Sequence, residues 1–326
     1  MLLRLSPPAG VPLSRADALR LHVGGAEANV AMGLAGLGYT TRMVTAVPGN
    51  ALGRRAIAAL GEAGVDTHAV VQLPGRMGSY FYEPPSGPLA GRVTYDREHT
   101  SFLLADTQSL NFDAALSGAA LLHMSGITPA LGPRGVTMAK AAIQAAGQMN
   151  VPICFDGNYR ASLWDAWDGD ARVILHDLVS KATILIGNHR DVSLLLGRRL
   201  EGTGRARRRA AAEAAFEAFP NLELIASTAR HVESGQVHRL AARVDRKHDS
   251  WQTEDIRIDP IIDRIGTGDA FATGVLSGWL DGLGPRDTAE LGLKLAAMKH
   301  GQAGDALAIT RDEVDAFDPT GADVSR

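Results

Sequence analysis

A single cysteine in 326 residues, Cys154, rules out an internal disulfide, and its place in the apolar run VPICF reads as a buried, inert thiol. No charge sign dominates. The net charge of -3 and isoelectric point near 6.4 give no global attraction to nucleic acid or an anionic membrane, so the expected partner is a small molecule. The ten histidines lack the paired close spacing of a zinc site, so any metal is expected to arrive with the substrate. No stretch approaches the roughly 18 uninterrupted apolar residues of a membrane span, and the opening MLLRLSPPAG lacks a signal-peptide pattern. A cytosolic protein is expected. There is no internal repeat or low-complexity linker, and the basic run at 205–209 leads into AAAEAAFEAF, which reads as a solvated helix start.

What is present points to an α/β protein. At 45% hydrophobic, a chain of this length suits one large decorated domain or two modest ones. Short Val- and Ile-rich runs at 41–48, 120–126, 151–157, 182–188 and 222–228 alternate with Ala/Leu-rich helical stretches such as ALGRRAIAALGEAG and RGVTMAKAAIQAAGQM. That alternation predicts a doubly wound, mostly parallel sheet covered by crossover helices, with ligands at the carboxyl ends of the strands. Residues 71–104 interrupt it. Aromatic and β-branched alternation around a Pro/Gly/Ser turn predicts a projecting hairpin, which suits a lid or an oligomer contact.

The most informative segment is IDRIGTGDAFATGVLSGWLDG at 262–282. Gly266 and Gly268 permit positive φ and expose backbone amides, and a helix starting near Asp269 adds partial positive charge, so the turn predicts an anion cradle. Asp269 at that helix start stays ionised and can take a proton from an attacking hydroxyl beside a bound phosphate, which is phosphoryl transfer. Taken alone, a Gly-x-Gly-Asp is equally a structural helix start. No Lys follows the final glycine, so a Walker P-loop is disfavoured.

This segment resembles the C-terminal signature of the ribokinase-like carbohydrate kinases of the phosphofructokinase-B type, and HVGGAEANVAMGLAGLG at 22–38 resembles their N-terminal signature. Together with SGITPAL, FDGNYRASLW and KHGQAGD, most of the chain is similar to 2-keto-3-deoxygluconate kinases. The resemblance implies a single ribokinase-like α/β domain with a small β lid from about 10–25 and 71–104. It also implies a homodimer or higher homo-oligomer, Mg-ATP as phosphate donor, and admits a monovalent cation. Gly25, Asn29, Tyr80, Tyr95, Arg97, Arg160 and Asp305 are expected to hold the sugar acid. Asn188, Asp191, Thr228, Asp263 and Thr267 are expected on the nucleotide side, with Asp191 reaching magnesium through water.

A linear sugar acid needs a guanidinium for its carboxylate, which Arg97 and Arg160 could supply. Arg160 alone reads equally as an ion-pair partner of Asp156 or Asp165, and Tyr80 and Tyr95 equally as a hairpin core. Other members of the fold act on neutral sugars or nucleosides, and a non-catalytic sugar-acid binding protein is the rival of another class. The chain also departs from the family pattern. Asp191 stands where a Glu is usual, Thr267 where an Ala is usual, Val47-Pro48-Gly49-Asn50 where Val-Gly-x-Asp is frequent, and Ser227-Thr228-Ala229-Arg230 where a turn carries a glycine. A first core strand ending in Gly-Glu is expected to be missing ahead of MLLRLSPPAG.

Overall fold

A computed structural model describes residues 1–87 and 89–318, so Pro88 of the expected lid and the last eight positions of the expected domain lie outside the described residues. The chain divides into two compact units. The first comprises Met1–Leu104, Ala229–Ala242 and Thr253–Arg326, and the second Ala105–Thr228 with Arg243–Gln252.

The first unit opens with a strand that the sequence reading did not anticipate. β1 (Leu2–Ser6) pairs antiparallel with β2 (Arg20–Gly24). β3 (Thr45–Pro48) and β4 (Val70–Leu73) form a separate two-stranded parallel sheet. β5 (Ser79–Glu83) and β6 (Arg92–Asp96) make the expected hairpin, and β5 lies parallel to β1, giving a four-stranded sheet in the order β2-β1-β5-β6. The hairpin is therefore shorter than 71–104, because Val70–Leu73 is claimed by β3. Asn50 caps the helix Ala51–Glu62, its side chain accepting from the amides of Leu52 and Gly53, so this departure from the family pattern serves the turn.

The second unit carries the expected parallel sheet. β7 (Leu122–Ser125), β8 (Ile153–Asp156), β9 (Ile184–Ile186) and the start of β10 (Leu224–Ser234) lie side by side in parallel register. Their apolar residues are buried, as helices on the sheet faces require, with Phe155, Ile184, Leu185 and Leu224 fully enclosed. β11 (Val237–Asp245) follows beside β10, and β12 (Ser250–Gln252) pairs antiparallel with it. The strand expected to stop at 228 runs on to Ser234. No glycine breaks 227–234, and the chain reverses only around Gly235. β10 and β11 thus each give residues to both units, and β13 (Ile256–Ile258) pairs with the early part of β11.

In the first unit the helix Thr267–Leu280 is buried along most of its length and crosses the helix Pro285–His300 at paired glycines. A β-carbon on Gly274 would come 2.6 Å from the α-carbon of Gly292, with backbone on the far side that cannot turn away. Gly274→Ala is expected to lower the urea midpoint, because overpacking costs about 1–3 kcal/mol against about 1 kcal/mol of gained helix propensity. The exposed Gly61, with nothing within 4 Å of its added carbon, is the control. Gly61→Ala is expected to raise the midpoint by the equivalent of about 0.5–1 kcal/mol. A rise in both variants would show that the helix crossing is not close.

Candidate active site

The glycine-rich turn is organised around Asp263 and Gly266. Gly266 caps the helix Thr267–Leu280 at φ 78°, a left-handed conformation, and a β-carbon there would run into the carbonyl oxygen of Asp305. No side chain caps this helix. The amides of Thr267 and Gly268 have no acceptor within the helix and carry its partial positive charge. Gly268 corrects an expectation, since it lies inside the first helical turn without a positive φ. It is exposed and a β-carbon there meets nothing within 4 Å, so its small size keeps the space before the amides open.

Asp269 follows as the third helical residue, half-buried. Its Oδ2 accepts a 2.6 Å hydrogen bond from Nδ2 of Asn29, and its carbonyl accepts from the Thr273 hydroxyl at 2.9 Å. Asn29 sits on the helix Ala26–Gly36, whose N-cap is Gly25 at φ 142°. The two helices come close through small residues: a β-carbon on Gly33 would lie 2.8 Å from the Thr273 hydroxyl. Asn29 was expected to face the sugar, whereas its amide is directed at the carboxylate of Asp269. Its Oδ1 is buried and has no hydrogen-bond partner among the described residues.

Beneath the turn lies a charged cluster that the sequence pattern revealed only in part. Asp263 Oδ2 accepts from Nη2 of Arg4 at 2.5 Å and from the Gly304 amide at 3.1 Å, while Oδ1 accepts from the Ile265 amide at 3.0 Å. Asp305 Oδ2 accepts from the Tyr80 hydroxyl, and Oδ1 stands 3.2 Å from Nη1 of Arg4. Arg4, Asp263 and Asp305 are 3%, 6% and 3% exposed. Burial pushes the Asp305 carboxyl up, opposed by Arg4 and by the Tyr80 hydrogen bond. The Tyr80 hydroxyl is raised far above its ordinary value, by burial first and then by the Asp305 carboxylate. A β-carbon on Gly24 would strike that same carboxylate. Asp305 therefore lies against both glycine turns, the one leading into Asn29 and the one leading into Asp269. Arg4 and the fully buried Lys299 were missed; a charged residue in a five-residue apolar run, or late in a Leu/Ala helix, carries no local signal of burial.

The hairpin and the residue that follows it carry three of the residues expected on the sugar side. Tyr80 and Tyr95 are cross-strand partners with ring centroids 6.0 Å apart, and the Arg97 guanidinium lies 4.1 Å from the centroid of the Tyr95 ring. Tyr80 is buried, Tyr95 is 38% exposed. Thr267 donates its hydroxyl to the carbonyl of Arg264 at 3.0 Å and so braces the turn.

In the second unit, Arg160 is the exposed N-cap of the helix Ala161–Trp164 and donates to the carbonyl of Tyr159. Asn188 and Asp191 form a capping box on the helix His189–Leu196: Asn188 accepts from the Arg190 amide at 2.8 Å, and Asp191 Oδ2 from the Asn188 amide at 2.7 Å. Burial pushes the Asp191 carboxyl up, opposed by the backbone amides of Asn188 and of Asp191 itself and by the Arg160 and Arg190 charges. Its short side chain lies close over Gly157 and Gly187 at the ends of β8 and β9. Thr228 sits within the continuing β10.

The chain matches the model of the pfkB family carbohydrate kinases over residues 4–311. It is 30% identical to the 2-dehydro-3-deoxygalactonokinase of Haloferax volcanii over 314 residues, 96% of this chain and 93% of that one. The 2-dehydro-3-deoxygluconokinase structure from Thermotoga maritima superposes with a TM-score of 0.92 at 31% identity, covering 98% of this chain and 96% of that one. An Escherichia coli protein described as ribokinase II, solved with ATP and Mg²⁺, superposes at 0.80 with 17% identity over 96% and 95% of the two chains, a likeness of fold alone. With a ribokinase-like α/β fold and a family match spanning nearly its whole length, the chain belongs to the pfkB family of carbohydrate kinases.

Proposed function

We propose that the chain phosphorylates a 2-keto-3-deoxy sugar acid, 2-keto-3-deoxygluconate or its galactonate epimer, at the terminal hydroxyl. The observation that carries this reading is the Asp269 carboxylate, fixed by Asn29 at the head of an uncapped helix beside the open face of Gly268. The terminal oxygen attacks the γ-phosphorus, its proton passes to Asp269, and the bond to the leaving diphosphate breaks. The amides of Thr267 and Gly268 hold the charge on the transferring phosphoryl oxygens, and they need not reorganise to do so. Asn29 holds the base in place, and its unpartnered Oδ1 is an acceptor suited to a substrate hydroxyl.

The acid specificity rests on Arg97. Its guanidinium is ordered over the Tyr95 ring, and a carboxylate gives that cation a partner which a neutral sugar lacks. Gly25 and Tyr95 are assigned to the sugar beside it, while Tyr80 and Asp305, locked to each other, shape the floor. Arg160, at its own strand end in the second unit, has the same chemistry toward an anion.

Magnesium would arrive with ATP and screen its phosphate oxygens. Asn188 and Asp191 suit an indirect role, since Asp191 commits Oδ2 to the helix cap and keeps Oδ1 for a water. Thr228, half-buried in β10, is assigned to the nucleotide, and Asp263 and Thr267 act from beneath the turn.

Three measurements test this reading. Asp269→Asn is expected to lower turnover by at least about 10²-fold while the thermal shift produced by the sugar acid persists; near-wild-type turnover would remove Asp269 as the base. In a coupled ADP-release assay, both 2-keto-3-deoxy acids are expected to be turned over, with fructose and ribose at least about 10²-fold poorer in kcat/KM. Arg97→Met is expected to cost the acids about 10- to 100-fold in kcat/KM and the neutral sugars little. Equal losses for both classes would place the specificity elsewhere.

A further inference from the structure

The family resemblance admits a monovalent cation, and the ground beneath the phosphate cradle is where its charge would be felt. The residues there do not fit an added ion. A dehydrated alkali cation needs a shell of oxygens, usually backbone carbonyls, to replace its water. Both oxygens of Asp263 are taken by donors, Arg4, Gly304 and Ile265. The carbonyl of His300 accepts the amides of Ile262 and Asp263. The carbonyl of Gln302 accepts from Nζ of Lys299 at 2.7 Å. Asp305 Oδ2 accepts from Tyr80, and its Oδ1, which has no hydrogen bond among the described residues, already faces a cation, Nη1 of Arg4 at 3.2 Å. Among the described residues no group of three acidic, histidine or cysteine side chains could hold a metal ion.

We infer that the chain supplies this cation itself: the ammonium of Lys299, with the guanidinium of Arg4, balances the two carboxylates under the cradle, and phosphoryl transfer needs no added monovalent ion. Four buried charges close to zero, two cations against Asp263 and Asp305. Lys299 is 0% exposed, so its ammonium has left water for a site where a backbone carbonyl and nearby carboxylates replace the lost solvation. Burial, with the neighbouring charge of Arg4, lowers the Lys299 amine, while Asp263, Asp305 and Asp269 act to keep its proton. A potassium ion entering here would add a third positive charge against two fixed ones and would have to displace existing donors. The balance has a purpose in the proposed reaction. Unneutralised carboxylates beneath Gly266 would repel the incoming phosphoryl group, and a covalently attached cation removes that repulsion at any salt composition.

This inference rests on the kinase reading of the site, so its test has an arm that needs no turnover. With choline as the sole monovalent cation, ADP release is expected to match that in potassium at equal ionic strength to within about twofold, and stimulation of about tenfold or more overturns the inference. The unfolding midpoint, with and without Mg-ATP, is expected to be the same in choline and potassium; a potassium-specific rise overturns it. That second arm holds even if no sugar acid proves to be a substrate. Lys299→Gln is expected to lower turnover in choline by at least about tenfold and to recover part of it in ammonium or potassium. A folded variant with wild-type turnover in choline would refute the role of Lys299, and a variant that does not fold leaves the two wild-type arms to decide.

Discussion

The guanidinium of Arg4, shared between Asp263 and Asp305, is the interaction on which the site depends. It belongs to an interior strand of the four-stranded sheet, yet it bonds the first residue of the glycine-rich turn and faces the carboxylate that backs both glycine turns. Charges this deeply enclosed gain little net stability from pairing, because desolvation consumes most of the Coulomb attraction. Their value lies in what happens without a partner. Removing one member strands a buried charge at a cost of about 3–5 kcal/mol, so only arrangements that keep all members paired are populated. The turn, the four-stranded sheet and the Gly301–Asp305 region are therefore fixed together, which holds the amides of the proposed anion cradle in place.

Much of the fold was legible because its signals are local. The parallel strands are short apolar runs with both faces covered, the helices between them carry caps and small-residue faces, and the hairpin shows its two-residue alternation. The glycine-rich segment was legible as a helix start for the same reason, since the left-handed Gly266 stands directly before the helix that it predicts. The first strand was not. LLRLS places an arginine in the middle of a five-residue run, which lowers its reading as a strand, and the carboxylate that justifies it lies 259 positions away. Lys299 has the same difficulty. In its helix it looks like an ordinary solvated lysine, and only the carbonyl of Gln302 and the carboxylates beyond explain its burial.

The two glycines of the turn show why composition and conformation must be kept apart. Gly266 is required by its dihedral angle and by the Asp305 carbonyl against it, whereas Gly268 is an ordinary helical residue whose lack of a side chain leaves room. The sequence presents both as the same letter. Likewise Ser227-Thr228-Ala229-Arg230 lacks a glycine, and the physical result is a strand that continues to Ser234 instead of turning. Sugar-side expectations shifted in a related way. Asn29 and Asp305 are polar residues near a ligand turn, and the structure commits each first to another protein group, Asn29 to Asp269 and Asp305 to Tyr80 and Arg4.

These commitments give the proposed base the positional accuracy that proton transfer demands. A general base must stand within hydrogen-bond reach of the proton it takes, and an error near 1 Å is costly. Asp269 is held at its side chain by Asn29 and at its carbonyl by Thr273, and Thr273 is also the residue against which Gly33 brings the neighbouring helix. The distance between the two helices is thus set by backbone against a small side chain, which has little freedom to relax. At their N-terminal ends the same pair of helices begins at Gly25 and Gly266, with Asp305 wedged against Gly24 on one side and Gly266 on the other. A displacement of either turn would have to move that buried carboxylate, and with it Arg4 and Tyr80. The proposed base and the proposed phosphate cradle are therefore registered against one common group.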